Sequence, residues 1–201
     1  MKLFYTPGAC SLSPHIVACE LGLAIDIETV DLKTRTTQEG RDFTAINPKG
    51  YVPALELDNG QVLTEGPAIV QYLAELKPEK NLLPPAATLE RARVQEWLAF
   101  IGTELHKNFS PLFNPDASDE VQANARAAIA RRLGFVDQAL KDQTYLMGEQ
   151  FTVADAYLFT VVNWTRFKAI DLTPWPAVAA FMQRVAQRPA VQQALREEGL
   201  I

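Results

Sequence analysis

The chain has 201 residues, of which 48% are hydrophobic and 21% are charged, a balance typical of globular proteins that fill a core. Its net charge is −5 and it has no run of Lys or Arg, which excludes the basic patch of proteins that bind nucleic acid or an anionic membrane. The N-terminal sequence MKLFYTPG is no targeting peptide, no segment reaches the ~18 apolar residues of a membrane span, and the two cysteines suggest no disulfide framework. We therefore expect a cytoplasmic protein.

The first 77 residues predict a small mixed sheet with helices. Residues 2–5 are a short apolar run followed by Thr6, Pro7 and Gly8, residues 26–32 alternate with period two, and apolar residues recur on helical spacing where we expect helices. Asp58-Asn59-Gly60 between two apolar runs indicates a hairpin. The predicted elements are a strand at 2–5, a helix opening at Ser13-Pro14, a strand at 26–32, a helix at 38–46, the hairpin, and a helix from Glu65.

The rest of the chain predicts a proline-rich linker and then helices. Thr152 and Asp155 match a helix capping box. The predicted helices cover 88–110 and 119–142, begin at Thr152 and at Trp175-Pro176, and end with a short one before Gly199. The predicted domains are an α/β domain at 1–77, a linker at 78–87 and an all-helical domain at 88–201.

Cys10 is the strongest candidate for chemistry. It follows the first strand and falls at or just before the first turn of the next helix. The free N–H groups and partial positive charge of a helix N-terminus stabilise a thiolate, and such thiols commonly have a pKa of about 3.5–7.5. The spacing to Ser13 is that of a Cys-x-x-Cys motif without its second thiol. Position alone leaves open that Cys10 only closes a tight turn.

Two further segments could hold a peptide-like ligand. Pro53 belongs at a strand start because it cannot donate to a β-ladder, and a cis bond after Val52 would expose the backbone groups of Val52. Glu65 could pair with an ammonium group at the start of a helix, where the N–H of Gly66 could meet a carboxylate. An ordinary acidic helix start explains Glu65 equally well.

The two histidines and the second cysteine leave more than one interpretation. His106 could donate a hydrogen bond to a thiolate or carry a proton, although a surface position explains it as well. Cys19 is interpreted as a small buried residue of the first helix, and His15 as structural. We expect no metal.

Five segments in order resemble glutathione transferases, most closely the bacterial beta class. They are TPGACSLSPHI, INPKGYVPAL, LTEGPAIVQYL, ELHK and FTVADAYLFT, and the resemblance runs from Met1 to the C-terminus. It implies an α/β plus all-α fold, with a thioredoxin-like N-terminal domain followed by a helical-bundle C-terminal domain, assembled as a homodimer. Two positions depart from the relatives: Ala99 stands where Asn is frequent, and Tyr51 stands where Gln is common.

The resemblance also implies residue roles. Cys10 would face the glutathione sulfur and could form a mixed disulfide with it, while His106 would reach the same region from the helical domain. The implied glutathione contacts are Val52 before a cis Pro53 for the cysteinyl backbone, Glu65 and Gly66 for the γ-glutamyl end, Arg35 for the glycine carboxylate, Lys107, and Glu104 of the partner subunit for the γ-glutamyl amine. Trp164 and Phe167 would line the second-substrate pocket.

We therefore expect a detoxifying enzyme that conjugates glutathione, its co-substrate, to small apolar electrophiles. Glutathione-dependent thiol transfer or dehalogenation through Cys10 would be further activities. A binding module for apolar compounds is one alternative, against which the complete set of Cys10, Pro53, Glu65 and His106 argues. A glutaredoxin-like redox protein is another, weakened by the helical domain and by Ser13 in place of a second Cys.

Overall fold

The computed structural model describes every residue from Met1 to Ile201. The chain forms two compact units, one of residues 1–83 with 187–201 and the other of residues 84–186. The first contains a five-stranded mixed sheet with helices, and the second contains only helices. The predicted fold class is thereby confirmed. A membrane-spanning helix is not found, since none combines the necessary length and hydrophobicity.

The sheet of the first unit has the strand order β3-β2-β1-β4-β5. Its strands are β1 (Lys2–Tyr5), β2 (Asp26–Asp31), β3 (Thr36–Thr37), β4 (Ala54–Glu56) and β5 (Val62–Thr64). The central strand β1 pairs in parallel with β2 and antiparallel with β4, while β5 is antiparallel to β4 and β3 to β2. β1 is almost fully buried. Because it is the central strand, the loop that follows it begins at the middle of the sheet.

Nine α-helices accompany the sheet or form the second unit. They are α1 (Leu12–Leu21), α2 (Phe43–Ile46), α3 (Gly66–Glu75), α4 (Leu89–Phe100), α5 (Lys107–Phe113), α6 (Asp119–Leu140), α7 (Val153–Phe167), α8 (Pro176–Ala186) and α9 (Pro189–Glu197). A 3₁₀ turn covers Pro78–Lys80, and a π-helical segment, Ile101–His106, joins α4 to α5.

The helix predicted over 38–46 is largely wrong. Only Phe43–Ile46 is helical, with the Asp42 carboxylate accepting the N–H of Thr44 at 2.8 Å. Thr36–Thr37 instead pairs with β2 as a short strand, in keeping with the β preference of threonine. Gly40 lies between them, in the turn that joins Thr37 to Arg41, with φ +83°, a conformation that favours glycine.

The C-terminal segment groups with the first unit, whereas the sequence-based boundary placed it with the helices at 88–201. Helix α9 packs on α1 and buries Val191, Ala194 and Leu195. Arg188 at its start forms an ion pair with Glu20 of α1. The apolar face of α9 was readable from the sequence, but its packing partner was not, because helical spacing does not say which surface a helix covers.

In the second unit, α7 is the central helix. Every residue from Val153 to Thr165 is buried. The predicted capping box at its start is confirmed: the N–H and hydroxyl of Thr152 donate to Asp155 Oδ2 at 2.8 and 2.9 Å. The N–H of Leu146 donates to the other oxygen of Asp155 at 2.8 Å, which ties the preceding loop to the helix start.

Candidate active site

Cys10 lies in the turn between β1 and α1, two residues before the helix begins. Its half-buried thiol donates to the carbonyl oxygen of Val52 at 3.2 Å. Ser11 fixes the turn, because its hydroxyl accepts the N–H of Thr6 at 3.2 Å and donates to the Thr6 carbonyl at 3.3 Å. The N–H of Gly8 donates to Glu198 Oε2 at 2.8 Å, so the C-terminal segment also holds this turn.

Val52 and Pro53 lie next to this turn, and the bond between them is cis. Both residues are buried immediately before β4. Gly66, the first residue of α3, approaches the same place: a Cβ added to it would lie 3.7 Å from Ser13 Oγ and 3.8 Å from Pro53 Cγ. The starts of α1, β4 and α3 therefore converge, and a larger residue than glycine would narrow the space between them.

Glu65 is the most unusual residue of this group. Its backbone has φ +70° and ψ 111°, outside the regions that non-glycine residues favour, and such strain is concentrated at functional sites. Its carboxylate accepts the ammonium of Lys49 at 2.6 Å and the hydroxyl of Tyr51 at 2.8 Å. Glu65 is thus placed to bind an ammonium group, and in this structure it binds that of Lys49.

The hydrogen bond to Glu65 also affects the partners. It raises the pKa of Tyr51 and the pKa of Lys49, because the carboxylate favours the protonated form of each. The involvement of Lys49 was not predicted from the sequence. The Asn-Pro-Lys-Gly turn signal gave its location, but only the folded turn shows that its side chain reaches Glu65.

Arg35 lies beside the same turn. It is exposed and has φ +56°. Its guanidinium lies over Gly50, where an added Cβ would meet Arg35 Cζ and Nε at 3.4 Å. The structure therefore gathers Cys10, Val52, Pro53, Glu65, Gly66 and Arg35 in the first unit.

His106 ends the π-helical segment of the second unit. Its Nδ1 lies 2.7 Å from the hydroxyl of Tyr157, and its ring contacts Trp164 edge to face with centroids 4.7 Å apart. Tyr157 was not predicted as a site residue. π-Helical turns are frequent at functional sites because they break the regular helical ladder and redirect side chains, and here the turn carries both Glu104 and His106.

Trp164 and Phe167 differ sharply in environment. Trp164 is only 5% exposed and forms the base of an aromatic cluster with His106, Phe109 and Phe113. Phe167 is 54% exposed and Phe113 is 47% exposed. The apolar surface available to a ligand in this region therefore includes Phe113, which the sequence analysis did not single out.

Glu104 and Lys107 lie on either side of His106 in the chain. Glu104 Oε2 accepts two hydrogen bonds from the Arg132 guanidinium of the same chain, at 2.6 Å from Nη2 and 3.1 Å from Nε. Lys107 is exposed. Arg132 was not predicted, because the pairing depends on α6 packing beside the π-helical segment and no sequence spacing encodes it.

The sequence matches family models over both units. Residues 8–76 match the glutathione S-transferase N-terminal domain, and residues 100–189 match the glutathione S-transferase C-terminal domain. Glutathione S-transferase GstA of Escherichia coli O157:H7 is 50% identical over 200 residues, with all of both chains covered.

Solved structures show the same likeness. A bacterial beta class glutathione S-transferase from Sphingomonas chungbukensis is 48% identical, with a TM-score of 0.97 and all of both chains covered. A sphingomonad glutathione S-transferase complexed with glutathione is 45% identical, with a TM-score of 0.96 and the same full coverage.

Proposed function

The chain belongs to the glutathione S-transferase family, in its bacterial beta class, and we propose that this enzyme conjugates glutathione to small apolar electrophiles in detoxification. One observation carries the proposal: the same unit holds a half-buried thiol beside the Val52 carbonyl and a strained Glu65 whose carboxylate binds an ammonium group. These are the groups that a tripeptide thiol with a free α-amino group requires. The glutathione bound to the sphingomonad relative supports the same ligand here.

Glutathione would lie across the first unit, which we propose as the glutathione-binding domain with residues 1–77 at its core. Its α-ammonium would replace Lys49 on Glu65, and its α-carboxylate would accept the N–H of Gly66 at the start of α3. The backbone of Val52 would pair with the cysteinyl unit, and the guanidinium of Arg35 would meet the glycine carboxylate.

The helical region, which we propose begins at residue 88 after a linker at 78–87, would supply the remaining contacts. His106 would donate to the sulfur region, supported by its bond to the Tyr157 hydroxyl. Lys107 would add a cation, and Glu104 of the partner subunit would approach the γ-glutamyl amine. Trp164 and Phe167 would line the pocket for the apolar electrophile, with Phe113 beside them.

The proposed chemistry is nucleophilic displacement. The glutathione thiol gives its proton to solvent, its thiolate forms a C–S bond with the electrophile, and the leaving group departs as an anion. The start of α1 and the Cys10 thiol supply positive charge and a donor for that thiolate. Cys10 adds a second route: its thiolate attacks a glutathione disulfide, forms a mixed disulfide and releases glutathione thiolate.

Dehalogenation would combine the two routes. Glutathione displaces halide from the carbon, the Cys10 thiolate then attacks the thioether sulfur, and the carbon leaves as a carbanion that takes a proton from solvent. The resulting mixed disulfide at Cys10 is resolved by a second glutathione thiolate, which releases oxidised glutathione.

We also propose a cytoplasmic homodimer. Trp97, Phe100 and Phe135 form an aromatic cluster with centroids 5.0–5.8 Å apart, and Phe135 is 55% exposed. Aromatic residues are enriched at protein interfaces relative to the rest of the surface. Both cysteines are free, as expected of a protein in a reducing compartment. Light scattering should give the mass of two chains for the wild type and of one chain for Phe135→Glu.

The test of the enzymatic proposal is turnover. The purified protein should consume glutathione with chlorodinitrobenzene, or with a mixed disulfide of glutathione and a small thiol. Saturable binding of apolar dyes without either turnover would favour the binding module instead.

The role of Cys10 has its own test. Incubation with oxidised glutathione should add one glutathione per chain by mass spectrometry, and Cys10→Ala should abolish the adduct. Cys19→Ala is the matched control and should retain it, whereas an adduct that persists in Cys10→Ala would move the covalent site to Cys19.

A further inference from the structure

Three different metal-ligating side chains meet where α9 packs on α1. His15 and Cys19 are four residues apart on α1, so they lie on one face of the helix, one turn from each other. Glu197, at the end of α9, faces them. One donor atom from each residue, the imidazole nitrogen, the thiol sulfur and a carboxylate oxygen, lies within 4.8 Å of the other two. None of the three belongs to the proposed glutathione site.

The imidazole of His15 is already oriented in the way that metal-binding histidines usually are. Its Nδ1 lies 3.0 Å from Glu198 Oε1, and both side chains are buried. A carboxylate on one ring nitrogen fixes the tautomer and turns the other nitrogen toward the metal. Here that other nitrogen, Nε2, lies 2.7 Å from Glu197 Oε2, and one ligand atom of His15 and the Cys19 sulfur lie within 4.8 Å of each other.

A cavity gives access to these groups. It has a volume of about 380 Å³ and is lined by all three residues, by apolar side chains of α1, β2 and the turn between them, and by Asp26 and Gln193. Cys19 is partly exposed, and the Glu197 side chain is 41% exposed, so both can adjust. The space accommodates an ion and a bound water, since a water occupies only about 30 Å³.

We propose that His15 Nε2, Cys19 Sγ and the Glu197 carboxylate form a zinc site, with water as the fourth ligand. Nitrogen, thiolate and carboxylate are the donors that Zn²⁺ prefers, and three protein ligands with one open position make a recognised tetrahedral site. Glu198 acts as the carboxylate that holds His15 in place. This departs from the expectation of no metal. That expectation was based on the sequence, which does not show that Glu197 of α9 lies against α1.

Only small movements convert the observed arrangement to that geometry. Zinc bonds of about 2.0–2.3 Å place tetrahedral ligand atoms about 3.3–3.7 Å apart. The sulfur must approach, and the Nε2–Oε2 pair must open from 2.7 Å to admit the ion. Zinc binding would release the proton on His15 Nε2 and the proton of the Cys19 thiol to solvent, because both ligands bind the metal in their deprotonated forms.

The test is titration of the purified, tag-free and glutathione-free protein with Zn²⁺ by calorimetry and with Co²⁺ by absorption spectroscopy. The wild type should bind one ion per chain, and Co²⁺ should give a thiolate charge-transfer band. Cys19→Ser should abolish that band, and both Cys19→Ser and Glu197→Gln should weaken Zn²⁺ binding at least 10-fold. These two substitutions are at partly or largely exposed side chains, which avoids the folding risk of replacing buried His15.

Two matched controls separate this site from other metal-binding groups. Cys10→Ser removes the other thiol, and Glu90→Gln removes an exposed carboxylate in the second unit; both should bind Zn²⁺ as the wild type does. The proposal is overturned if the wild type shows no saturable Zn²⁺ binding, if the Co²⁺ band depends on Cys10 instead of Cys19, or if Cys19→Ser and Glu197→Gln retain full affinity. None of these measurements uses turnover, so their outcome is independent of the transferase activity.

Discussion

Glu65 has a carboxylate placed to bind a ligand and a backbone held in an unfavourable conformation. The residue sits at φ +70° at the start of α3, with its carboxylate held by Lys49 and Tyr51. The sequence predicted an acidic residue at a helix start. It could not predict the strained backbone or the two partners, because both depend on how the turn around residues 47–51 folds against α3.

We expect Glu65→Gln to raise KM for glutathione by about 10-fold or more with a smaller change in kcat, because a hydrogen bond to a charged group contributes about 1.5–3 kcal/mol. Steady-state kinetics with varied glutathione measures both constants. Glu75→Gln, an exposed carboxylate at the far end of the same helix, should leave them unchanged. A loss confined to kcat would argue against Glu65 as the ammonium ligand.

Glu28 is a second residue whose charge matters, here for stability. It is only 3% exposed on β2, and its carboxylate accepts hydrogen bonds from Lys2 at 3.0 Å and Arg41 at 2.6 Å. Burial raises its pKa, but bonds from Thr37, Lys2 and Arg41 outweigh burial and lower that pKa from 4.5 to about 2. The folded state therefore binds the proton more weakly than the unfolded chain does.

The sign of the pH dependence follows from that difference. The contribution of Glu28 to the free energy of unfolding is complete above about pH 4.5 and is lost as the pH falls through about 2. It amounts to roughly 3 kcal/mol at most. Glu28→Gln should lower the urea midpoint strongly at pH 7 and progressively less toward pH 2. Glu39→Gln, which removes an exposed neighbour of the same two cations, is the control, and an equal gap between Glu28→Gln and wild type at every pH would contradict the assignment.

Among the elements, regular ones were predictable and irregular ones were not. The strand at 2–5 is an apolar run ended by Pro7 and Gly8, the hairpin carries a turn signal, and the strand at 26–32 and the helices have their own period of apolar residues, so local sequence suffices. The π-helical segment at 101–106 interrupts what the sequence predicted as one helix over 88–110, and its apolar spacing gives no warning of the extra residue per turn. The pairing of Thr36–Thr37 escaped prediction because two residues are too few to show a period.

The capping box of α7 is an element whose importance can be measured. Asp155 is fully buried and accepts hydrogen bonds from Thr152 and from the N–H of Leu146. Asp155→Ala would leave buried donors without an acceptor, so we expect it to destabilise the fold by at least about 2 kcal/mol. Chemical unfolding followed by circular dichroism measures the loss.

A comparable carboxylate at the surface provides the control for Asp155. Asp171 likewise accepts the N–H and hydroxyl of a nearby threonine, Thr173, but it is exposed. Water can replace that acceptor, so Asp171→Ala should change the unfolding midpoint far less. If Asp155→Ala and Asp171→Ala lowered the free energy of unfolding by similar amounts, burial would not explain how much the capping box stabilises the fold.

At the scale of the whole molecule, the chain leaves the first unit at residue 83 and returns to it at residue 187. The returning segment completes the first unit in three ways. It covers α1 with the apolar face of α9, it supplies Glu198 to His15 and to the N–H of Gly8, and it pairs Arg188 with Glu20. The turn that carries Cys10 thus depends on residues almost two hundred positions away in the chain, which no local sequence pattern could reveal.

We therefore expect that weakening α9 destabilises the first unit selectively. Val191→Ala removes two methyl groups from a fully buried position, and the lost burial with the cavity left behind should cost about 1–3 kcal/mol. Hydrogen exchange measured by mass spectrometry should show faster exchange in residues 1–83 and 187–201, with residues 84–186 unaffected. Arg196→Ala, an exposed substitution on the same helix, should exchange like the wild type. Equal acceleration in both units would show that they unfold as one and that α9 does not belong to the first unit alone.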